Sequence, residues 1–263
     1  MASSTWLILP ALAGAIAGGR GGVVPPSTAH YRLEVKSEQV VDLTALGQTE
    51  QRSANTTIAF LTVMIADSAG GNTLVVMVDS VQLDSTLGVP KAMVDSLRGQ
   101  SRKAYVGADG KVVRQNAGNA PALLLALGLD GVIRRLAPPS AAHRKAGAAW
   151  TDTTDVTDTL PNGSISTRIV TNFQSSDDSF EGSKALKVAG AYSTALRGDQ
   201  AGPGGEGTFD GTGTGTSSWF YGTDGLTLGG SSHTAQQITY TGGGAPAPIP
   251  ITASTEVTLT RQR

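Results

Sequence analysis

Residues 56–66 read TTIAFLTVMIA and residues 73–83 read TLVVMVDSVQL. Both runs are dense in β-branched and large apolar side chains, the composition that favours a pleated strand over a helix. Between them, Asp67, Ser68, Ala69, Gly70, Gly71 and Asn72 supply turn chemistry, so the pair reads as a β-hairpin. In a strand, alternate side chains point to opposite faces. Ile58, Phe60 and Met64 then point one way, and Leu61, Val63 and Ile65 the other. Strands apolar on both faces are expected in the middle of a sheet covered on both sides.

Outward from this hairpin the same pattern recurs. Residues 31–44 (YRLEVKSEQVVDLT) alternate as a strand, and residues 89–100 (VPKAMVDSLRGQ) read as a short helix stopped at Gly99. Residues 102–114 read as a hairpin turning at Asp109 and Gly110. Residues 119–136 (NAPALLLALGLDGVIRRL) form a leucine-rich helical segment, with Asn119 able to cap it and Pro121 in its first turn. Residues 148–160 and 164–174 flank Asn162 and Gly163, a strong hairpin signal. Strands follow over 183–196, 208–221, 226–240 and 249–261, with a glycine-rich loop expected over 198–207. The fold class is therefore mainly β (α+β): a large curved antiparallel sheet, or two related β halves, with a Leu-rich covering helix.

The aromatic-x-Gly-x-Asp-Gly pattern occurs twice, at Tyr105 to Gly110 and at Phe220 to Gly225, 115 residues apart (225 minus 110). Two other elements fall in step at that shift, which suggests an internal duplication. The expected organisation is 1–22 a signal peptide or N-terminal anchor, 23–30 a linker, 31–116 a first β half, 117–139 a connecting helix, and 140–263 a second β half.

Residues 6–17 (WLILPALAGAIA) are too short for a comfortable membrane span but fit the core of a signal peptide, with Ala15-Ile16-Ala17 as a small-x-small cleavage site. No Lys or Arg precedes the run. Export to a bacterial periplasm or cell envelope is preferred to a retained anchor or a buried helix. The chain holds 263 residues, no cysteine and a net charge of −1, which excludes disulfides, a thiolate nucleophile and a basic nucleic-acid footprint.

No catalytic, cofactor or metal motif emerges. His30, His143 and His233 lack a recognisable partner motif. Asp67-Ser68-Ala69-Gly70-Gly71 resembles a serine-protease nucleophile sequence but lacks the Gly after Ser and reads better as a turn. Asp152, Asp155 and Asp158 recur every third residue, a spacing that alternates faces on a strand and does not converge on a cation. Asp177 and Asp178 with Glu181, expected in a loop, are a better-placed candidate for a calcium site than that series, the plainer reading of both groups being solvated polar positions. Residues 204–215 (GGEGTFDGTGTG) lack the Gly-Lys-Ser/Thr of a phosphate loop and read as a flexible loop entering a strand. Asn55 and Asn162 head glycosylation-type tripeptides. Trp150, Trp219, Phe220 and Tyr221 read as core or strand-pair aromatics.

The Gly147-Ala-Ala-Trp150-Thr-Asp-Thr153 strand, the stretch from Gly213 to Trp219 and Phe220, and Asp224-Gly225-Leu226 together resemble uncharacterised exported bacterial β-rich proteins and lipoproteins. A closing β run over 249–259 completes the likeness, which covers about the last 120 residues. It implies an extracytoplasmic domain and transfers no functional residue. The missing lipobox cysteine departs from the lipoprotein members. More loosely, a curved sheet with a covering helix is similar in architecture to periplasmic lipoprotein carriers. The expected function is non-catalytic binding of an apolar ligand or lipid in a curved β-sheet. The alternative is a structural or accessory subunit docking on a membrane or envelope protein complex. No cofactor and no nucleic-acid partner is expected.

Overall fold

The computed structural model describes residues 27–68, 71–84, 90–107, 112–116, 133, 135–136, 139–140, 142–160, 162–202, 205–242 and 244–262. Its eleven strands are β1 (Ser27–Val41), β2 (Gln51–Ser68), β3 (Gly71–Leu83), β4 (Ser101–Gly107), β5 (Val112–Asn116), β6 (Ala149–Leu160), β7 (Gly163–Phe180), β8 (Ser183–Gly202), β9 (Gly205–Tyr221), β10 (Thr227–Gly242) and β11 (Ile249–Gln262). All belong to one antiparallel sheet in the order β5-β4-β3-β2-β1-β11-β10-β9-β8-β7-β6. Consecutive strands are neighbours except β5 and β6, which form the two edges of the sheet. The two meanders they bound are joined where β1 pairs with β11, from His30 opposite Gln262 to Val41 opposite Ile251.

The expected central position of β2 and β3 is observed, with β1 beside one and β4 beside the other. Leu61, Val63, Ile65, Leu74 and Val76 are fully or almost fully buried. A flat single sheet would leave these side chains in water, so the sheet curls and buries its own inner face. The opposite row is not covered as expected: Ile58, Phe60, Val75 and Met77 are half-buried, and Met64 is 39% exposed.

Among the described residues no leucine-rich helix lies over the sheet, and the one α-helical element is α1 (Lys91–Asp95). Of the helix expected over 119–136, only Ile133, Arg135 and Leu136 fall among the described residues; these are helical and buried. The two expected halves are one sheet, because the β1–β11 ladder spans both. Strand β1 begins at Ser27, inside the segment read as a linker.

Three tight turns show how local chemistry sets the register. Leu160 pairs with Gly163, so Gly163 opens β7 and the two-residue connection lies just before it. Glu181 and Gly182 join β7 to β8 with φ of 49° and 78°, the paired left-handed geometry that matches strand twist. Gly202 pairs with Gly205. The expected glycine-rich loop over 198–207 is therefore mostly ladder. Strand β7 likewise runs on through Asp177 and Asp178, where the sequence predicts a loop.

Candidate functional site: the inner face of the sheet

The inner face has two chemistries. On β1 to β4 it is largely apolar: Leu33, Val35, Ala59, Leu61, Leu74, Val76 and Ala104 join one buried cluster with Val188, Trp219, Val257 and Leu259, while Arg102 is buried on the same face of β4 and Thr57, Ser37 and Gln39 are buried on β2 and β1. On β7 to β11 it is mixed, with Thr167, Thr171, Thr194, Thr234, Gln236 and Thr255 buried among aliphatic and aromatic neighbours.

The register aligns these polar residues. Gln39 lies opposite Ala253, Ala253 opposite Gln236, Gln236 opposite Gly213, and Gly213 opposite Thr194. A parallel row runs from Ser37 through Thr255, Thr234, Gly215 and Tyr192 to Thr171. Six buried atoms along this band have no hydrogen-bond partner among the described residues: Gln39 Nε2, Thr167 Oγ1, Thr171 Oγ1, Thr194 Oγ1, Gln236 Oε1 and Thr255 Oγ1. Leaving such a group unsatisfied costs about 1–3 kcal/mol, so the band has unspent capacity for polar contacts.

Glycines make the band possible. Gly211, Gly213 and Gly215 put no side chain on the inner face of β9, and their neighbours lean across. A Cβ at Gly213 would meet Gln236 Cγ and Thr194 Oγ1 at 2.7 Å each. A Cβ at Gly215 would collide with the Tyr192 ring. Tyr192 thereby crosses β9 and reaches β10, its hydroxyl 2.6 Å from Thr234 Oγ1 and 3.0 Å from the His233 carbonyl. The segment read as a flexible glycine-rich loop is thus an ordered strand, with threonine outside and glycine inside.

Arg135 sits where the two chemistries meet. It is 5% exposed, and its guanidinium carbon lies 5.0 Å from the centre of the Trp219 ring. Its carbonyl accepts hydrogen bonds from the Tyr221 hydroxyl at 3.3 Å and the Thr227 hydroxyl at 3.0 Å. The Tyr31 hydroxyl donates to the Thr227 carbonyl at 2.8 Å, tying β1 into the same cluster. Among the described residues Nη1 has no hydrogen-bond partner, and no carboxylate pairs with the group. Burial lowers its pKa to about 10, against smaller opposing effects from the Tyr192 and Tyr221 phenols. Burial also pushes the phenols of Tyr31, Tyr192 and Tyr221 upward, so all three are neutral donors. Sequence reading passed over Arg135; its one trace is Arg134-Arg135 embedded in an apolar segment.

The residues singled out from sequence are scattered. His30 is on the outer face, 3.0 Å from Thr62 Oγ1, which donates to Asp79 Oδ2 at 2.8 Å. This is the one place where histidine, hydroxyl and carboxylate meet among the described residues. The hydroxyl stands in the middle and gives its proton to the carboxylate, an order that ties β1, β2 and β3 together rather than one that activates a nucleophile through histidine. His233 is exposed on β10, opposite Glu256. His143 stacks on Trp150, and Trp150 stacks on Phe173 at 5.1 Å. Burial lowers the His143 pKa, against a smaller opposing effect from Asp152.

Ser68 and Gly71 close the β2–β3 hairpin, as the turn reading expected; Ala69 and Gly70 lie outside the described residues. Asp152 and Asp155 lie on opposite faces of β6, while the Asp158 side chain lies outside the description. Asp178 pairs with Lys187 at 3.6 Å. No cluster of three metal-ligating side chains occurs among the described residues. Asn55 is within β2, and Asn162 is in the β6–β7 turn. Trp219 and Tyr221 face inward, whereas Phe220 faces outward against Phe180 at 5.0 Å.

Away from the apolar outer side chains of β2 and β3, the outer face is charged and polar. It carries Arg32, Lys36, Glu38, Arg168, Arg197, Asp210 and Glu256 among rows of serine and threonine. A lipid-facing barrel wall would instead present an apolar band.

No family model matches the chain, and no curated protein matches it. Among solved structures it is similar to Neisserial surface protein A, at 7% identity and a TM-score of 0.24, covering 89% of this chain and 98% of that one. It is also similar to a mutant Rh. blastica porin, at 11% identity and a TM-score of 0.26, covering 90% and 100%. A third likeness is to a loop-deleted OmpT, an outer membrane protein of Vibrio cholerae, at 8% identity and a TM-score of 0.17, covering 89% and 99%. This is a distant likeness of meandering antiparallel strands. It transfers neither function nor location.

Proposed function

We propose that this chain is a non-catalytic, exported envelope protein that binds a lipid or other amphipathic small molecule against the inner face of its curved sheet. The observation that carries the reading is the divided inner face: a largely apolar wall on β1 to β4 beside a band that runs from the end of β1 across β11 to β7, with six buried polar atoms unpartnered among the described residues. A protein core built for stability alone satisfies its buried polar groups. An outer face that is charged and polar away from β2 and β3, and an apolar N-terminal run suited to export, fit a soluble carrier in the envelope.

Native mass spectrometry of protein purified gently from its own envelope fraction tests this, with small molecules extracted from the same sample. A lipid or amphipathic metabolite at near-unit stoichiometry is the expected result. An apo mass that also takes up no added amphiphile defeats the reading.

A second reading, an accessory subunit docking on a membrane or envelope complex, has one observation in its favour. Ile58, Phe60, Met64, Val75 and Met77 form an apolar outer patch on β2 and β3. An apo mass accompanied by a stable protein complex would favour it.

A further inference from the structure

We propose that Arg135 is the anchor for the anionic head of the bound molecule, and that the ligand is a long-chain carboxylate. The inference rests on the binding reading above and adds the chemical class of the ligand. The guanidinium is a rigid, planar fork of five donors that matches a carboxylate. One of its faces is taken by the Trp219 ring, which uses no donor. Its Nη1 is buried and has no hydrogen-bond partner among the described residues. A buried charge is expensive unless it is paired, and no carboxylate among the described residues pairs with this one. A ligand carboxylate completes the site.

The surroundings define the rest of the molecule. Ile133 and Leu136, on either side of Arg135, pack into the apolar cluster with Leu33, Leu61 and Val76. A chain attached to the carboxylate therefore meets hydrocarbon immediately. The phenol of Tyr192 lies close enough to act on the Arg135 charge, and suits the head rather than the tail.

The test compares cis-parinaric acid with its methyl ester by fluorescence titration. The two share an apolar chain and differ in charge. Wild-type protein is expected to bind the acid about tenfold or more tightly than the ester, the factor that a charge-assisted hydrogen bond supplies. In Arg135→Gln the acid is expected to fall to the affinity of the ester, while the ester binds as before and so reports an intact fold. Equal binding of acid and ester by the wild type overturns the role of Arg135 and leaves interior binding standing. Binding of neither overturns both. A measurement that needs no variant is the carbon-13 titration of carboxyl-labelled oleate bound to wild-type protein. Its carboxyl is expected to ionise at lower pH than in ester-containing micelles, and an unshifted midpoint overturns the pairing.

Discussion

The imidazole of His143 lies flat on the indole of Trp150, with ring centroids 3.9 Å apart and planes 4° from parallel. The stack holds the chain entering β6 against the inner face, since Trp150 in turn packs on Phe173 of β7. Burial lowers the His143 pKa below its ordinary value of 6.5. The unfolded chain therefore binds the proton more readily than the folded one. The stability contributed by neutral His143 is present above the unfolded pKa and fades as pH falls below it. Urea midpoints measured from pH 8 to pH 5 should drop more steeply for the wild type than for His143→Phe. Parallel pH curves would show that the stack does not sense protonation.

Leu61 and Met64 lie close together on β2, one facing inward and the other outward. Leu61→Ala should cost about 2–5 kcal/mol, the range for emptying a packed site. Met64→Ser should stay within about 0.5 kcal/mol, as an exposed substitution does. Chemical denaturation of the two variants checks which face the sheet has turned inside. Comparable losses would contradict the curl.

Gly215 leaves the room that Tyr192 uses to cross β9. Gly215→Val should displace the ring, break its contact with Thr234 and destabilise by about 1–3 kcal/mol through overpacking. Thr214→Val, one residue away on the outer face, is the control and should be close to neutral. A silent Gly215→Val would mean that β9 does not present this glycine to Tyr192.

The Tyr31 hydroxyl reaches from β1 to the Thr227 carbonyl on β10, passing the seam strand β11. Tyr31→Phe should lose about 0.5–1.5 kcal/mol, the net value of one such bond. Hydrogen exchange should show faster opening of the β1–β11 ladder in that variant. Unchanged protection there would assign the seam's stability to backbone pairing alone.

The strands themselves were legible from sequence. The β2–β3 hairpin, the Asn162-Gly163 turn and the short helix before Gly99 all form as their local chemistry implies. The stretch around Gly211, Gly213 and Gly215 was misread because glycine density signals a loop when neighbours are unknown. In the sheet, Tyr192, Thr194, Gln236 and Ile238 supply the side chains that β9 lacks. Arg135 was missed for a related reason: nothing in its own segment says that Trp219, 84 positions away (219 minus 135), will lie beneath it. The polar band is invisible in the sequence too, since Gln39 and Thr194 fall in one row only through the register of three intervening strands.

The sequence by itself determined that this chain forms antiparallel strands and where most of them turn, because alternation and turn residues act within a few positions. Only the tertiary structure decided that β1 pairs with β11, from His30 opposite Gln262 onward, and hence that there is one curled sheet and not two halves. The physical reason is that either face of a strand such as β2 is apolar enough to be buried. The choice falls to the closure that hides Leu61 and its neighbours at once, a property of all the strands together and of none alone.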